Sequence, residues 1–274
     1  MSTRALLASP LGFLIGVSLG ALGGGGSILA VPVLVFVAGQ DPSAATTTSL
    51  VVVGVASLIG AYGHWRAGRV WVTQGLMFGL VGIGGSLAGS ALNRRLDGDV
   101  LLLAFAGLIL IAAWRIVAGC PSCTSSGEAT VIDRPTGGDG SVKTRTRTMT
   151  PGRVIKIVAA GTAVGFLTGL FGVGGGFVIV PALALVLGFS MPAAVGTSLL
   201  VIAVNTAVAL AARAGAGTID WGTTLVFTAA ATAGVGAGKR VADRLEPESM
   251  QRAFAVLLVA VALYTGARAL FAIY

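Results

Sequence analysis

Charged side chains are scarce in this chain of 274 residues, where they make up 10% of the sequence. Soluble domains carry about 25% charged residues. The hydrophobic share is 55%, and the mean hydropathy is +0.93. Several apolar runs approach the roughly 18 residues that cross a bilayer, and a soluble fold could not cover so many of them. We therefore expect an all-α polytopic membrane protein.

Acidic side chains are absent from the centres of the apolar segments. The 10 Asp and Glu residues lie in a polar central stretch or at predicted helix ends. Cation transporters and many proton pumps place carboxylates inside the membrane. Their absence here favours an anionic ligand over a cation.

Side chains with the chemistry of an enzyme or a metal centre are equally few. The chain has one histidine, His64, and two cysteines, Cys120 and Cys123, in the loop sequence CPSC. The glycine-rich stretches are not followed by a phosphate-loop lysine, and no strand–helix alternation surrounds them, which excludes a dinucleotide fold. We expect no enzyme activity, no cofactor, no catalytic or metal-ligating residue, and no essential role for the cysteine pair.

The chain contains the same pattern twice. GALGGGGSILAVPVLVFVAG begins at Gly20 and GLFGVGGGFVIVPALALVLG begins at Gly169. Pro32 and Pro181 are 149 residues apart (181 − 32 = 149), and the same spacing aligns AATTTSL with AAVGTSL without a gap. Chance similarity between apolar segments rarely aligns glycine, proline, threonine and serine together. The repeat therefore predicts two homologous halves.

The repeat and the composition predict three regions. These are a first transmembrane repeat at 1–118, a flexible polar cytoplasmic linker at 119–150 and a second transmembrane repeat at 151–274. The linker is rich in Gly, Ser and Thr and could not bury a core. Each half has about five apolar segments: 5–22, 27–39, 43–63, 73–92 and 99–118 in the first, and 153–171, 176–188, 191–213, 221–242 and 250–272 in the second.

The second segment of each half is short. As a helix it would span about 20 Å, less than the roughly 30 Å of a hydrocarbon core. The first and second segments therefore meet at the glycines. If each half crosses the membrane five times, the halves are inverted repeats, as in many secondary transporters, and this is our prediction. Re-entrant short segments would instead give four crossings and parallel halves.

Basic residues produce a net charge of +8, but they lie mainly in loops and at segment ends. This placement is typical of cytoplasmic anchoring, so we expect no nucleic-acid partner. Surface anchoring is the preferred interpretation of His64 and Arg66, and the alternative is a charge that attracts the anion. Inverted halves place six side chains on one cytoplasmic side: His64, Arg66, Arg69, Lys239, Arg240 and Arg244.

The glycine breaks are the candidate binding site. Broken helices inside a membrane are tolerated where protein or a water-filled cavity surrounds them. Breaks in matching positions of two halves point to a transport site. Near Ser27 and Phe177, they free backbone amides at the starts of short helices, which favour anions. Tight helix packing is the alternative, and it is the preferred interpretation of GLVGIGGSLAGS (Gly79 to Ser90).

Hydroxyl groups recur beside the breaks in the Thr-Ser pairs of the two halves. They can bind the same ligand or cap a helix, and Asn205 can bind the ligand or a neighbouring helix. We expect the glycine amides and hydroxyls to face one central cavity. The candidate substrate-binding residues are Gly24, Gly25, Gly26, Ser27, Thr47, Thr48, Ser49, Gly174, Gly175, Gly176, Thr197, Ser198 and Asn205.

The doubled pattern GxGGGxxxVPxL, followed in each half by A-A-x-x-T-S-L, resembles the TauE/SafE family, also called the toluenesulfonate uptake permease family. The resemblance covers both halves and the linker. It implies a multi-pass secondary transporter for the export or uptake of small sulfur-containing anions, such as sulfite or organosulfonates, across the bacterial inner membrane, and export is the direction that we predict. Its partners would be that anion and the lipid bilayer. An anion channel for small oxyanions is the alternative.

Two positions depart from the family pattern. Ser27 stands where the second half has Gly176. The family typically has the sequence Gly-x-Val/Ile-Asp-Trp. The second half keeps this sequence at Asp220 and Trp221, whereas the first half departs from it at Trp71. These departures leave the identity of the transported anion open.

Overall fold

The computed structural model describes residues 3–93, 98–118, 151–171, 176–212 and 220–273. The described residues form helices and short connections, with no strand among them. The first half contains α1 (Thr3–Leu22), α2 (Ser27–Phe36), α3 (Pro42–Arg66), α4 (Val72–Asn93) and α5 (Gly98–Ala118). The second contains α6 (Pro151–Phe171), α7 (Gly176–Pro181), α8 (Met191–Ala212), α9 (Trp221–Arg244) and α10 (Pro247–Ile273). The prediction of an all-helical chain with about five segments per half is confirmed.

The predicted linker at 119–150 lies outside the described residues, and Cys120 and Cys123 lie there with it. Three helical stretches in the described ranges are long and apolar enough to cross a membrane: Ala44–Arg66, Val72–Leu92 and Met191–Ala211. Shorter apolar stretches accompany them at Ser9–Leu22, Gly107–Ile116 and Val154–Leu170. The chain is a multi-pass helical membrane protein.

The second element of each half is short, as the sequence predicts. α2 has 10 residues. α7 has 6 residues and continues beyond Pro181 into one π-helical turn, Ala182–Val186. Gly39 and Gly188, which are equivalent in the repeat, follow these elements with φ of +70° and +66°. Glycine adopts this left-handed conformation without strain, so both chains can turn toward the next long helix.

The largest helix contacts join the two halves. α1 packs along α9, and its repeat equivalent α6 packs along α4. α3 packs on α8 and α5 packs on α10, so each of these helices meets its own equivalent. The two halves therefore interlock, and equivalent helices make reciprocal contacts.

Small residues set the distance between the paired helices. A Cβ added at Gly85 of α4 would lie 2.2 Å from the carbonyl oxygen of Thr162 in α6. At the equivalent Gly234 of α9, it would lie 2.2 Å from the carbonyl oxygen of Phe13 in α1. Because lipid tails are as apolar as Leu, helix association in a membrane depends on such close packing. The prediction that GLVGIGGSLAGS serves helix packing is confirmed.

Equivalent helices run in opposite directions where they meet. Along the contact of α3 with α8, Gly54 faces Thr206, whereas Gly196 faces His64. Residue numbers therefore rise along α3 as they fall along α8. The contact of α5 with α10 is also antiparallel, since Gln251 near the start of α10 donates to the carbonyl of Ile116 near the end of α5.

Candidate functional site

The first glycine break joins α1 to α2. Gly23 has φ of +82°, and Gly26 precedes α2, whose start has no side-chain cap in this described segment. A Cβ on Gly26 would lie 2.3 Å from the carbonyl oxygen of Ile15, so the break folds back on α1. The backbone N–H and the hydroxyl of Ser27 donate to the carbonyl of Gly24 at 3.3 and 2.7 Å. Backbone contacts thus hold the start of α2.

The two breaks meet each other. A Cβ on Gly24 would lie 1.6 Å from the carbonyl oxygen of Gly176, and one on Gly176 would lie 2.6 Å from the hydroxyl of Ser27. Ser27 and Gly176 are equivalent in the repeat, so equivalent positions of the two halves meet here. Packing therefore requires glycine at both Gly24 and Gly176. Gly174 and Gly175, which the sequence also places in the site, lie outside the described residues.

Gly25 differs from its neighbours because side chains, not backbone, surround it. A Cβ there would lie 2.4 Å from Cδ2 of Leu257 and 3.7 Å from the hydroxyl of Ser18. That hydroxyl is buried and has no hydrogen-bond partner within the described part of the chain. Gly25 thus borders a flexible side chain and an unsatisfied polar group.

The Thr-Ser pair of α8 lies beside the first break. The Ser198 hydroxyl would lie 2.6 Å from a Cβ on Gly23, and it donates to the carbonyl of Val195 at 2.8 Å. The Thr197 hydroxyl accepts the N–H of Trp71, just before α4, at 3.1 Å. Both side chains are fully buried. Thr197 therefore secures the start of α4, a structural role that the sequence left open.

The Thr-Ser pair of α3 is also buried, together with Thr47. Ser49 donates to the carbonyl of Thr46 at 2.8 Å, as Ser198 does within α8. Thr48 is fully buried, and its hydroxyl has no partner among the described residues. An unsatisfied buried polar group costs about 1–3 kcal/mol. Thr48 is therefore a place where a ligand oxygen would be stabilising.

The two Thr-Ser pairs do not lie together. Gly196, next to Thr197, contacts His64 near the end of α3. Thr48 precedes His64 in the same helix by a distance on the order of 20 Å. The expectation that both pairs face one ligand in one central cavity is therefore wrong. The antiparallel packing of α3 and α8 carries the equivalent motifs to opposite ends.

Asn205 lies apart from the breaks. It follows Thr197 by about 12 Å along α8. Its side-chain oxygen would lie 3.7 Å from a Cβ on Gly79, so it faces α4. This oxygen has no hydrogen-bond partner in the ranges that the structure describes. Asn205 therefore faces α4 without a hydrogen bond from this oxygen among the described residues, and both predicted roles, ligand and helix, stay open.

His64 is fully buried, so the interpretation as a surface anchor is wrong for this residue. Arg66, two residues on, is exposed. Nε2 of His64 lies 3.2 Å from the carbonyl oxygen of Gly20, which can only accept, so Nε2 carries the hydrogen. Nδ1 has no partner among the described residues. Position at a segment end predicts contact with water, but α1, α8 and the loop after α3 cover this side chain.

Basic groups from both halves meet at one end of the molecule. Arg69, in the loop after α3, pairs with Asp243 near the end of α9. Lys239, one turn earlier in α9, pairs with the same carboxylate at 3.3 Å. The sequence predicts that these two basic segments lie on one side of the membrane, and the ion pairs join them.

Asp220 begins α9 as its N-cap. The carboxylate accepts the Thr223 hydroxyl at 2.6 Å and the N–H groups of Gly222 and Thr223 at 3.1 and 3.4 Å. The hydrogen bond from the Thr223 hydroxyl, more than the two backbone bonds, lowers the pKa of Asp220. The Asp-Trp form that the resemblance singled out therefore has a capping role here.

Two interlocked helical halves, with broken helices that meet inside an apolar bundle, are the architecture of a membrane transporter. Among the described residues, no group of three or more His, Cys, Asp or Glu could hold a metal ion. The chain belongs to the family described as sulfite exporter TauE/SafE, whose sequence model matches residues 8–265.

Relatives in two bacterial species are similar to this chain over most of its length. A probable membrane transporter protein of Xylella fastidiosa (strain 9a5c) is 31% identical over 256 residues, which cover 92% of this chain and 91% of the relative. The probable membrane transporter protein YdhB of Bacillus subtilis (strain 168) is 30% identical over 190 residues, 69% of this chain and 71% of the relative. YunE of the same strain, also a probable membrane transporter protein, is 26% identical over 263 residues, 93% of this chain and 92% of the relative. No solved structure matches this chain.

Proposed function

We propose that this chain is a secondary transporter that exports small sulfur-containing anions, such as sulfite or organosulfonates, across the bacterial inner membrane. The observation that carries this proposal is the meeting of the two breaks at Gly24 and Gly176. Broken helices in corresponding positions of two halves are typical of substrate sites in secondary transporters. The lack of carboxylates inside the apolar segments supports an anion, and the family supports a sulfur oxyanion.

The anion binds at the start of α2, against the amides of Gly25 and Gly26; the hydroxyl of Ser27 joins them only if it releases the carbonyl of Gly24, to which it donates in this structure. The uncapped helix start carries partial positive charge, and glycine lets a ligand approach the backbone. Thr48 offers a hydroxyl elsewhere along the path of the anion. Neutral donors suit an anion that must also leave, since conduction and transport require binding that is not too tight.

The test of this function is anion binding by the purified protein in detergent, followed by counter-flow in proteoliposomes. The panel is sulfite, thiosulfate, sulfate, taurine and sulfoacetate. We expect saturable binding and counter-flow for at least one sulfur anion. A flux that rises without saturation and shows no counter-flow would indicate a channel. Absence of binding and flux for the whole panel would refute the proposed function.

Thr48→Val is expected to slow anion transport by roughly 10-fold or more while binding at the start of α2 is unchanged, because a hydrogen bond to a charged ligand along its path contributes about 1.5–3 kcal/mol. The free protein should not lose stability, since the hydroxyl of Thr48 has no partner in the described structure. Thr197→Val is the matched control: it removes the hydroxyl that accepts the Trp71 N–H and should lower thermal stability instead. An unchanged transport rate in Thr48→Val would remove Thr48 from the path of the anion.

The halves are placed in the membrane as inverted repeats. The antiparallel packing of α3 on α8 supports this arrangement, because equivalent membrane-crossing helices then point to opposite sides. The ion pair of Arg69 with Asp243 supports it independently. Parallel halves would put the ends of α3 and α9 on opposite sides of the membrane, where these residues could not meet.

Single-cysteine labelling tests the topology in a background in which Cys120 and Cys123 are replaced by serine. Arg66→Cys and Arg240→Cys are expected to react with an impermeant reagent from the same side. Trp221→Cys, at the other end of α9, should react from the opposite side. The cysteine-free background should remain unlabelled and transport normally. Labelling of the two arginine positions from opposite sides would exclude the inverted arrangement.

A further inference from the structure

The one histidine of the chain lies where the two halves meet. Nε2 of His64 donates to the carbonyl of Gly20, three residues before the break begins at Gly23. The Cβ of His64 lies 3.1 Å from the position of an added Cβ on Gly196, next to the Thr-Ser pair of α8. One buried side chain thus bridges the end of α1 and the start of α8, which both border the first break.

Charged groups act on His64 from two elements. Arg69 approaches from the loop after α3, and Lys239 and Asp243 approach from α9. α1 carries Arg4 at its far end, and α8 has no charged residue in its described length. Two cations and one carboxylate therefore act on the imidazole, and because both cations pair with the same Asp243 carboxylate, one positive charge has no counter-charge of its own.

The second ring nitrogen of His64 is unsatisfied in either protonation state. Nδ1 is buried, and no acceptor or donor among the described residues reaches it. A neutral ring leaves a lone pair unused, and an imidazolium is a buried cation that is costly without a nearby anion. An anion at the break, about one helical turn beyond Gly20, would offset that cost. Proton binding and anion binding would then strengthen each other, since thermodynamic coupling is reciprocal.

We propose that His64 is the proton-binding residue of anion transport. Nδ1 gains a proton from water, and an N–H bond forms, when the anion occupies the break at Gly23–Ser27. The proton returns to water when the anion leaves. His64 acts through the Gly20 carbonyl and through charge, and is a positioning residue that does not itself contact the anion. This inference rests on the proposed anion transport.

Nuclear magnetic resonance of histidine-labelled protein in nanodiscs tests the inference directly, because His64 provides the one histidine signal. Sulfoacetate is the probe anion, since its charge is constant between pH 5.5 and 8.5. Saturating sulfoacetate is expected to raise the titration midpoint of His64 by roughly one pH unit, a tenfold gain in proton affinity within the usual range of coupling. An unchanged midpoint would overturn the inference.

Calorimetry on the same samples separates this inference from the proposed function. Sulfoacetate affinity of the wild type should fall at least about fivefold from pH 5.5 to pH 8.5. His64→Gln keeps a donor for the Gly20 carbonyl and should bind sulfoacetate with no pH dependence. Arg66→Gln, at the exposed end of the same helix, should retain the wild-type slope. Saturable binding with an unchanged midpoint refutes the role of His64 alone, whereas absence of binding to the whole panel refutes anion transport as well.

Discussion

Alanine at Gly85 or Gly234 is expected to remove most of the folded protein, whereas alanine at Gly84 or Gly236 should leave it intact. A Cβ at Gly85 would lie 2.2 Å from the carbonyl oxygen of Thr162 and at Gly234 equally close to a backbone oxygen of α1, while nothing lies within 4 Å of one at Gly84 or Gly236. The nearest atoms at both positions belong to the backbone, which cannot move aside for a methyl group as a flexible side chain can. We expect a loss of at least about 3 kcal/mol, the upper end for overpacking.

Yield of monodisperse protein and thermal midpoint in detergent are the measurements for these four variants. The controls remove a glycine from a helix interior, which should itself stabilise the helix by roughly 1 kcal/mol. Each control lies one or two residues from its test position in the same helix. If Gly85→Ala and Gly84→Ala had the same thermal midpoint, α4 and α6 could not pack as closely as described.

Alanine at Gly25 is expected to lower anion transport more than tenfold while the protein still folds. The added methyl would lie 2.4 Å from Cδ2 of Leu257, the far end of a side chain that can rotate away. The same methyl would hold an anion away from the amides at the start of α2. Loss of one hydrogen bond to a charged ligand corresponds to roughly 10- to 150-fold in affinity.

A second substitution separates ligand approach from packing in this experiment. Leu257→Ala removes the side chain that the new methyl would meet, and by itself it should transport normally. The double variant Gly25→Ala with Leu257→Ala relieves the contact but keeps the methyl beside the amides. We expect transport by the double variant to stay as low as in Gly25→Ala. Recovery to the level of Leu257→Ala would show that Gly25 serves packing alone.

Several features were predictable because they depend on neighbouring residues in the chain. Runs of consecutive glycines interrupt helices, so the repeat predicted the starts of α2 and α7 to within a residue. The small residues of GLVGIGGSLAGS predicted a packing face on α4 in the same way. They could not predict α6 as the partner, since a stripe of small residues fits any helix that approaches closely enough.

His64 and the Thr-Ser pairs show the opposite case. A histidine followed by Arg66 at the end of an apolar run has the local pattern of a surface anchor, and only the packing of α1 and α8 over it determines its burial. Thr48 and Thr197 stand in similar motifs, each with Ala-Ala three and four residues before it and Ser-Leu directly after it. In the fold, the Thr48 hydroxyl has no hydrogen-bond partner among the described residues, whereas the Thr197 hydroxyl accepts the N–H of Trp71.

Composition and the internal repeat were sufficient for the membrane class and the helical segments, because apolar length and helix breaks are local properties of the chain. The direction in which α3 passes α8 is a long-range property, and it decides which groups share a site. It separated the two Thr-Ser pairs, brought Gly24 against Gly176 and enclosed His64 between the halves. The repeated motifs are similar in sequence and do not specify how the two halves are oriented relative to each other. These contacts therefore arise only when the halves pack.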